Sequence, residues 1–162
     1  MAVKQRKKKW PARNLEELIC FLEEQYPDGK FSVADIASRI GDSKSAVSCM
    51  FLRDDMKLSK AEHIASCYGY TLSIFFPEYE RESEFIRPLN KKVRCYEGKG
   101  NLKGLADYIR DGRLSVSEIA KKIDKDRNVL IKAFATGDIQ ISTLYLIVDT
   151  LGKYIVWRFN KN

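Results

Sequence analysis

Six cations and no acid fall within the first thirteen residues: Lys4, Arg6, Lys7, Lys8, Lys9 and Arg13. Closely spaced ammonium and guanidinium groups suit one kind of chemistry, the non-covalent pairing of donors with a polyanion. The groups that bond-breaking needs do not gather anywhere. The single histidine, His63, stands in no HExxH or triad context, GxSxG does not occur, and EGKG at 97–100 lacks the GxxxxGK[ST] form of a phosphate loop. The pair Asp54-Asp55 reads as a helix end rather than an acid–base couple. The four cysteines, Cys20, Cys49, Cys67 and Cys95, have no CxxC spacing, which argues against zinc. The chain is expected to bind rather than to catalyse, with no metal and no cofactor.

Charge is unevenly placed. The arm 1–13 carries +6, residues 14–77 carry −4, 78–100 carry +1 and 101–162 carry +4, which together make the net +7. A basic arm and a basic C-terminal region point to a polyanion partner. At 162 residues, 44% hydrophobic and 31% charged, the composition is that of one or two small globular domains. No apolar run approaches the ~18 residues of a membrane span, and no apolar segment follows the basic start as in a secretory signal. Cys20 and Cys67 fall within apolar helical patterns and are expected to pack as small hydrophobes. The chain reads as cytoplasmic and reduced, with no membrane partner and no disulfides.

The elements that must position these donors occur twice. With a shift of 83 residues, 28–76 lies over 111–159 without a gap and thirteen pairs are identical: Asp28/Asp111, Gly29/Gly112, Ser32/Ser115, Val33/Val116, Ile36/Ile119, Ala37/Ala120, Ile40/Ile123, Phe51/Phe134, Asp55/Asp138, Ser59/Ser142, Ile64/Ile147, Gly69/Gly152 and Phe76/Phe159. Two copies are too few for a solenoid, so two compact domains in tandem are expected. The boundaries read as a basic arm 1–13, a first domain 14–77, a connector 78–100 and a second domain 101–162.

Within the first copy, Leu15, Leu18, Ile19 and Leu22 predict a helix with Asn14 as its N-cap. Ser32 caps a second helix that buries Val33, Ile36, Ala37 and Ile40 and stops at Gly41. A third helix, about Lys44 to Leu52, buries Val47, Met50 and Phe51. It leaves Lys44, Ser45, Ser48, Cys49 and Leu52 open, with Arg53 at its end. Ser59 is expected to cap a fourth helix, and Gly69 to end it. Alternation over Tyr70, Leu72, Ile74 and Phe76 then predicts a closing strand. The second copy repeats this order: helix three spans about Arg127 to Ala135, helix four follows Ser142, and a strand runs from Lys153 to Phe159. The connector has room for a short helix and a strand at KVRCY.

The turn between the second and third helices carries a family resemblance. Ala37, Gly41, Ser43, Val47, Met50 and Phe51 stand as they do in the helix-turn-helix of the lambda-repressor-like (phage repressor/Cro, XRE) family. The second copy departs from it, with Asp124 for the turn glycine and Leu130 for valine. The stretch ISTLYLIVDTLGKYIVWRF is similar to the last helix and closing strand of HigA-type antitoxins.

The resemblance implies a mainly α fold of two tandem helix-turn-helix domains. Each would end in a β-strand. In HigA-type antitoxins such a closing strand pairs across a dimer; here one chain supplies two. Because a strand with one apolar face is not stable alone, the two are expected to pair with each other in an internal pseudo-dimer, the alternative being a second chain in a homodimer. The resemblance implies a sequence-specific double-stranded DNA-binding protein, a prokaryotic or phage transcriptional regulator, whose third helices enter the major groove. Lys44, Ser45, Ser48, Cys49 and Arg53 would face DNA from the first copy, with Leu52 against a thymine methyl. Arg127, Asn128, Ile131, Lys132 and Thr136 would face it from the second, where arginine suits guanine and asparagine suits adenine. Lys57, Arg113, Lys121, Lys122 and Lys125, with Lys4, Arg6, Lys7, Lys8 and Lys9 of the arm, are expected at phosphates. The alternative is an antitoxin-like protein–protein module with vestigial DNA binding.

Overall fold

The computed structural model describes residue 10 and residues 13–77, 98–110 and 115–162. The arm with Lys4, Arg6, Lys7, Lys8 and Lys9, the connector's expected helix and strand, Cys95 and Arg113 lie outside the described residues. The fold is mainly helical, with one two-stranded antiparallel sheet. The first half holds α1 (Glu16–Glu24), α2 (Val33–Ile40), α3 (Lys44–Leu52), α4 (Leu58–Cys67) and β1 (Tyr70–Phe75). A 3₁₀ turn (Gly100–Leu102) leads into α5 (Lys103–Arg110), α6 (Val116–Lys122), α7 (Arg127–Thr136), α8 (Ile141–Thr150) and β2 (Val156–Lys161). The two halves therefore share one order of elements.

Local signals explain several helix ends. Ser32 accepts from the Asp35 N–H at 3.2 Å, and Ser115 forms a full capping box with Glu118. Gly41 closes α2 at φ 73°, a left-handed conformation that suits glycine. The buried stripes match the helical spacing: Val47 and Phe51 on α3, Leu130 and Phe134 on α7, Ile64 on α4 and Ile147 on α8.

Three helix starts differ from expectation. Asn14 is not the N-cap of α1, which begins after Leu15. The turn leading into α1 is held instead by Asp54, just past the end of α3, whose carboxylate accepts from the N–H groups of Arg13 (3.0 Å), Asn14 (2.8 Å) and Leu15 (3.0 Å). Ser59 and Ser142 are not N-caps either. Both lie one residue inside their helices, whose N-caps, Lys57 and Gln140, make no side-chain cap bond. Their orphan donors are satisfied across the chain. Asp138 accepts from the Ser59 N–H (2.9 Å) and hydroxyl (2.7 Å), while Asp55 accepts from the Ser142 N–H (2.9 Å) and hydroxyl (2.7 Å). The backbone does the same: Leu58 N–H donates to Ile139 O (2.8 Å) and Ile141 N–H to Met56 O (2.9 Å). Each of these contacts maps onto its partner under the 83-residue shift.

The sheet obeys the same symmetry. β1 pairs with β2 of the same chain, so strand pairing is intramolecular. The register sets Ile74 opposite Trp157, which are equivalent positions, and an isolated bridge sets Lys57 opposite Gln140, also equivalent. A pseudo-two-fold axis therefore passes through both pairs. β2 starts at Val156 and runs to Lys161, later than the expected 153–159, because its partners on β1 end at Phe75. Phe159 stacks on Phe21 of α1 (centroids 4.0 Å apart, planes 8° apart). Phe76 reciprocally lies against α5, where a Cβ on Gly104 would come within 3.1 Å of its ring. The outer edge of β1 is closed by the Asn101 side chain, which accepts from Ile74 N–H (2.9 Å) and donates to Leu72 O (3.0 Å).

Cys20 does not pack as a core residue. α1 buries Leu18, Ile19, Phe21 and Leu22, which leaves Cys20 exposed on the outer side. Its thiol is raised by partial burial and then by Glu23, Glu17, Glu16 and Glu24.

Loss of one cap between the halves removes a charge-assisted bond to a helix start. Asp55→Ala and Asp138→Ala should each lower unfolding free energy by about 1–2 kcal/mol, read by urea denaturation. A change confined to one of the two would contradict the reciprocity.

Candidate nucleic-acid interface

Two exposed helices, α3 and α7, are presented in the same way. Each follows a tight turn from the preceding helix. Gly41 makes the first turn at φ 73°, and Asp124 makes the second at φ 56°. Aspartate tolerates this left-handed conformation better than most side chains. The turn bonds agree: Asp42 N–H to Ala37 O at 3.0 Å and Lys125 N–H to Ala120 O at 2.9 Å. The glycine-to-aspartate change therefore leaves the turn intact. Ser43 caps α3 through the Ala46 N–H (3.1 Å), and Asp126 caps α7 through the Asn128 N–H (2.7 Å).

The residues expected to face DNA fall into two groups. Lys44, Ser45, Cys49 and Arg53 on α3, and Arg127, Asn128, Lys132 and Thr136 on α7, are exposed. Ser48 and Ile131, which are equivalent positions, are half-buried, and Ile131 packs against the core. They border the open faces rather than centre them. The Thr136 hydroxyl donates to Lys132 O at 2.8 Å, so it presents an acceptor outward. Val129 went unremarked in the sequence yet is 48% exposed; Leu52 is 57% exposed. A shallow, mostly apolar groove runs along α3 between Asp42, Ala46, Cys49, Met50, Leu52 and Arg53.

The electrostatics differ between halves. Lys121, Lys122 and Lys125 are all exposed beside α7, with Asp124 and Asp126 on the same turn. In the first half two of the cations, Lys60 and Arg39, are drawn into side-chain pairs. Lys60 bonds Asp42 at 2.7 Å. Arg39, equivalent to Lys122, bonds Asp35 at 3.2 Å and lies 4.4 Å from the centre of the Tyr68 ring. Tyr26 donates to Asp35, and that bond, followed by the one from Arg39, holds the Asp35 carboxyl below its usual range. Burial, then the bonds to Asp35 and Tyr68, pushes the Tyr26 phenol well up.

Both helices lead into the axis. From Leu52 to Lys57 is five residues, a reach of at most about 18 Å, and the same holds from Ala135 to Gln140. With about 4.5 Å between the paired Lys57 and Gln140 Cα atoms, the C-terminal ends of the two helices thus lie within about 41 Å of each other, an upper bound that leaves room for one duplex turn. Lys57 is exposed at the junction, opposite exposed Gln140. No cluster of three or more His, Cys, Asp or Glu able to hold a metal occurs among the described residues. No described helix is long and apolar enough to cross a membrane.

The backbone at residue 124 gives a local test. Asp124→Ala places a Cβ without a polar tip at positive φ and should destabilise by roughly 1 kcal/mol, whereas Asp124→Gly should hold or raise stability. Thermal melts compare the two, and equal losses would show that the turn does not depend on φ at this residue. No protein-family model, no curated protein and no solved structure matches this chain.

Proposed function

We propose that the chain is a sequence-specific double-stranded DNA-binding protein, a transcriptional regulator of the prokaryotic or phage kind, built as two helix-turn-helix units in one polypeptide. The observation that carries this reading is the pairing of two exposed, capped helices about one pseudo-two-fold axis. Duplex DNA offers major grooves to such a pair one turn apart on one face. α7 holds Arg127, Asn128 and Lys132, which suit guanine and adenine edges, while Lys121, Lys122 and Lys125 suit the flanking phosphates. α3 offers Lys44, Ser45 and Cys49, with Leu52 and Ala46 able to meet thymine methyls. The arm would add phosphate contacts that steepen the salt dependence.

The alternative, an antitoxin-like protein-binding module, draws on the apolar groove of α3 and its exposed Leu52. It differs in asking nothing of α7's donors.

The test is selection from a random duplex pool. Because α3 and α7 differ at every exposed position, the selected site should be asymmetric. Arg127→Ala and Asn128→Ala should each lose roughly 1–3 kcal/mol on that site and far less on random DNA. Lys125→Ala should weaken both about equally. Enrichment of no sequence would sink DNA reading and favour the protein-binding alternative.

A further inference from the structure

The pair at the axis has a place in this reading that neither helix has. Lys57 and Gln140 face each other as a non-hydrogen-bonded antiparallel pair, because the two bridge bonds are made by their neighbours, Leu58 with Ile139 and Ile141 with Met56. In such a pair the Cα atoms approach to about 4.5 Å and the side chains lie together on one face. Both residues are exposed.

The axis has two ends. At one, β1 and β2 cross it at Ile74 and Trp157. At the other are Lys57 and Gln140, separated from the sheet by the ten-residue helices α4 and α8, about 15 Å of helix. α3 and α7 run directly into this second end through short loops. By the pseudo-two-fold relation the exposed pair lies midway between the C-terminal ends of α3 and α7, at the end of the axis into which both helices run. When two helices occupy successive major grooves on one face of a duplex, the minor groove between them faces the protein at the centre of the site.

We propose, resting on the DNA-reading function above, that Lys57 and Gln140 together read the minor groove at the centre of the DNA site. The chemistry is specific. An A·T pair offers only acceptors there, adenine N3 and thymine O2, whereas G·C adds the guanine 2-amino donor. The Lys57 ammonium has donors alone and is repelled by that amino group. The Gln140 amide can donate beside it. A·T-rich DNA also narrows the groove and deepens its negative potential, which favours a lysine. The centre of the site should therefore favour A·T.

Inosine separates this from bending or major-groove effects, since I·C lacks the 2-amino group yet resembles G·C in the major groove. On the selected site, the protein should bind central A·T and I·C alike and lose about 5- to 20-fold on central G·C. In the Lys57→Ala, Gln140→Ala double variant, the G·C penalty should fall to within about twofold, with preferences at the outer positions kept. Lys57→Gln, which keeps a stem at the axis, should lower the penalty partway, and unchanged thermal melts would confirm that these exposed changes leave the fold intact. Specific binding with an undiminished penalty in the double variant, or with no penalty in the parent, overturns this inference alone. Loss of all sequence preference in the parent overturns the DNA reading, and this inference with it.

Discussion

A helix start leaves backbone N–H groups without partners, and α4 and α8 solve this with each other's aspartates. Asp138 caps the start of α4, and Asp55 caps the start of α8. Neither helix has a side-chain cap from its own N-cap residue. The strands follow the same logic, since β1 and β2 are each other's partner and an isolated strand with one apolar face is not stable alone. Each closing aromatic residue, Phe76 and Phe159, reaches the opposite half's first helix. The seam therefore completes both halves at once. The orientation of α3 and α7 depends on it, because each leads within a few residues into the Asp55 or Asp138 loop.

One chain with two halves is freed from a restraint on a homodimer. Outside the seam and core, each half can change alone. The seam keeps its identities at Asp55/Asp138, Ser59/Ser142 and Phe76/Phe159, while the outer faces diverge from Lys44, Ser45 and Cys49 to Arg127, Asn128 and Lys132. The first half also ties Arg39, exposed like its counterpart Lys122, to Asp35 and Tyr68. The net positive charge thus falls to the second half, while both reading helices keep an exposed apolar side chain, Leu52 on α3 and Val129 on α7.

Much of this was legible in the sequence, and the misses share one cause. Helical periodicity located all eight described α-helices, because burial of one face is a local pattern. The strand alternation was legible for the same reason, and its apolar face is the one that the structure buries at Leu72, Ile74, Phe76 and Trp157. What could not be read was which partner completes an element. Ser59 and Ser142 looked like caps because they stand near helix starts; their role as receivers of a distant carboxylate is a tertiary fact. Asp54 as the anchor of the turn into α1 is hidden likewise, forty residues from Asn14. The identity of Asp55 with Asp138 was the available signal, since a turn aspartate kept between two diverged copies suggests a shared contact. Ser48 and Ile131 were placed on open faces although helix geometry puts them at the edge of the buried stripe. The pairing of Lys57 with Gln140 leaves no trace in either local pattern.

The claim beneath all of this is that one chain is a complete two-helix reader. Native mass spectrometry of the protein with a duplex carrying its selected site measures this most directly. One chain per duplex is the expected stoichiometry, unchanged as protein concentration rises through saturation. Two chains per site, bound cooperatively, would contradict it, because the second pair of reading helices would then come from another molecule.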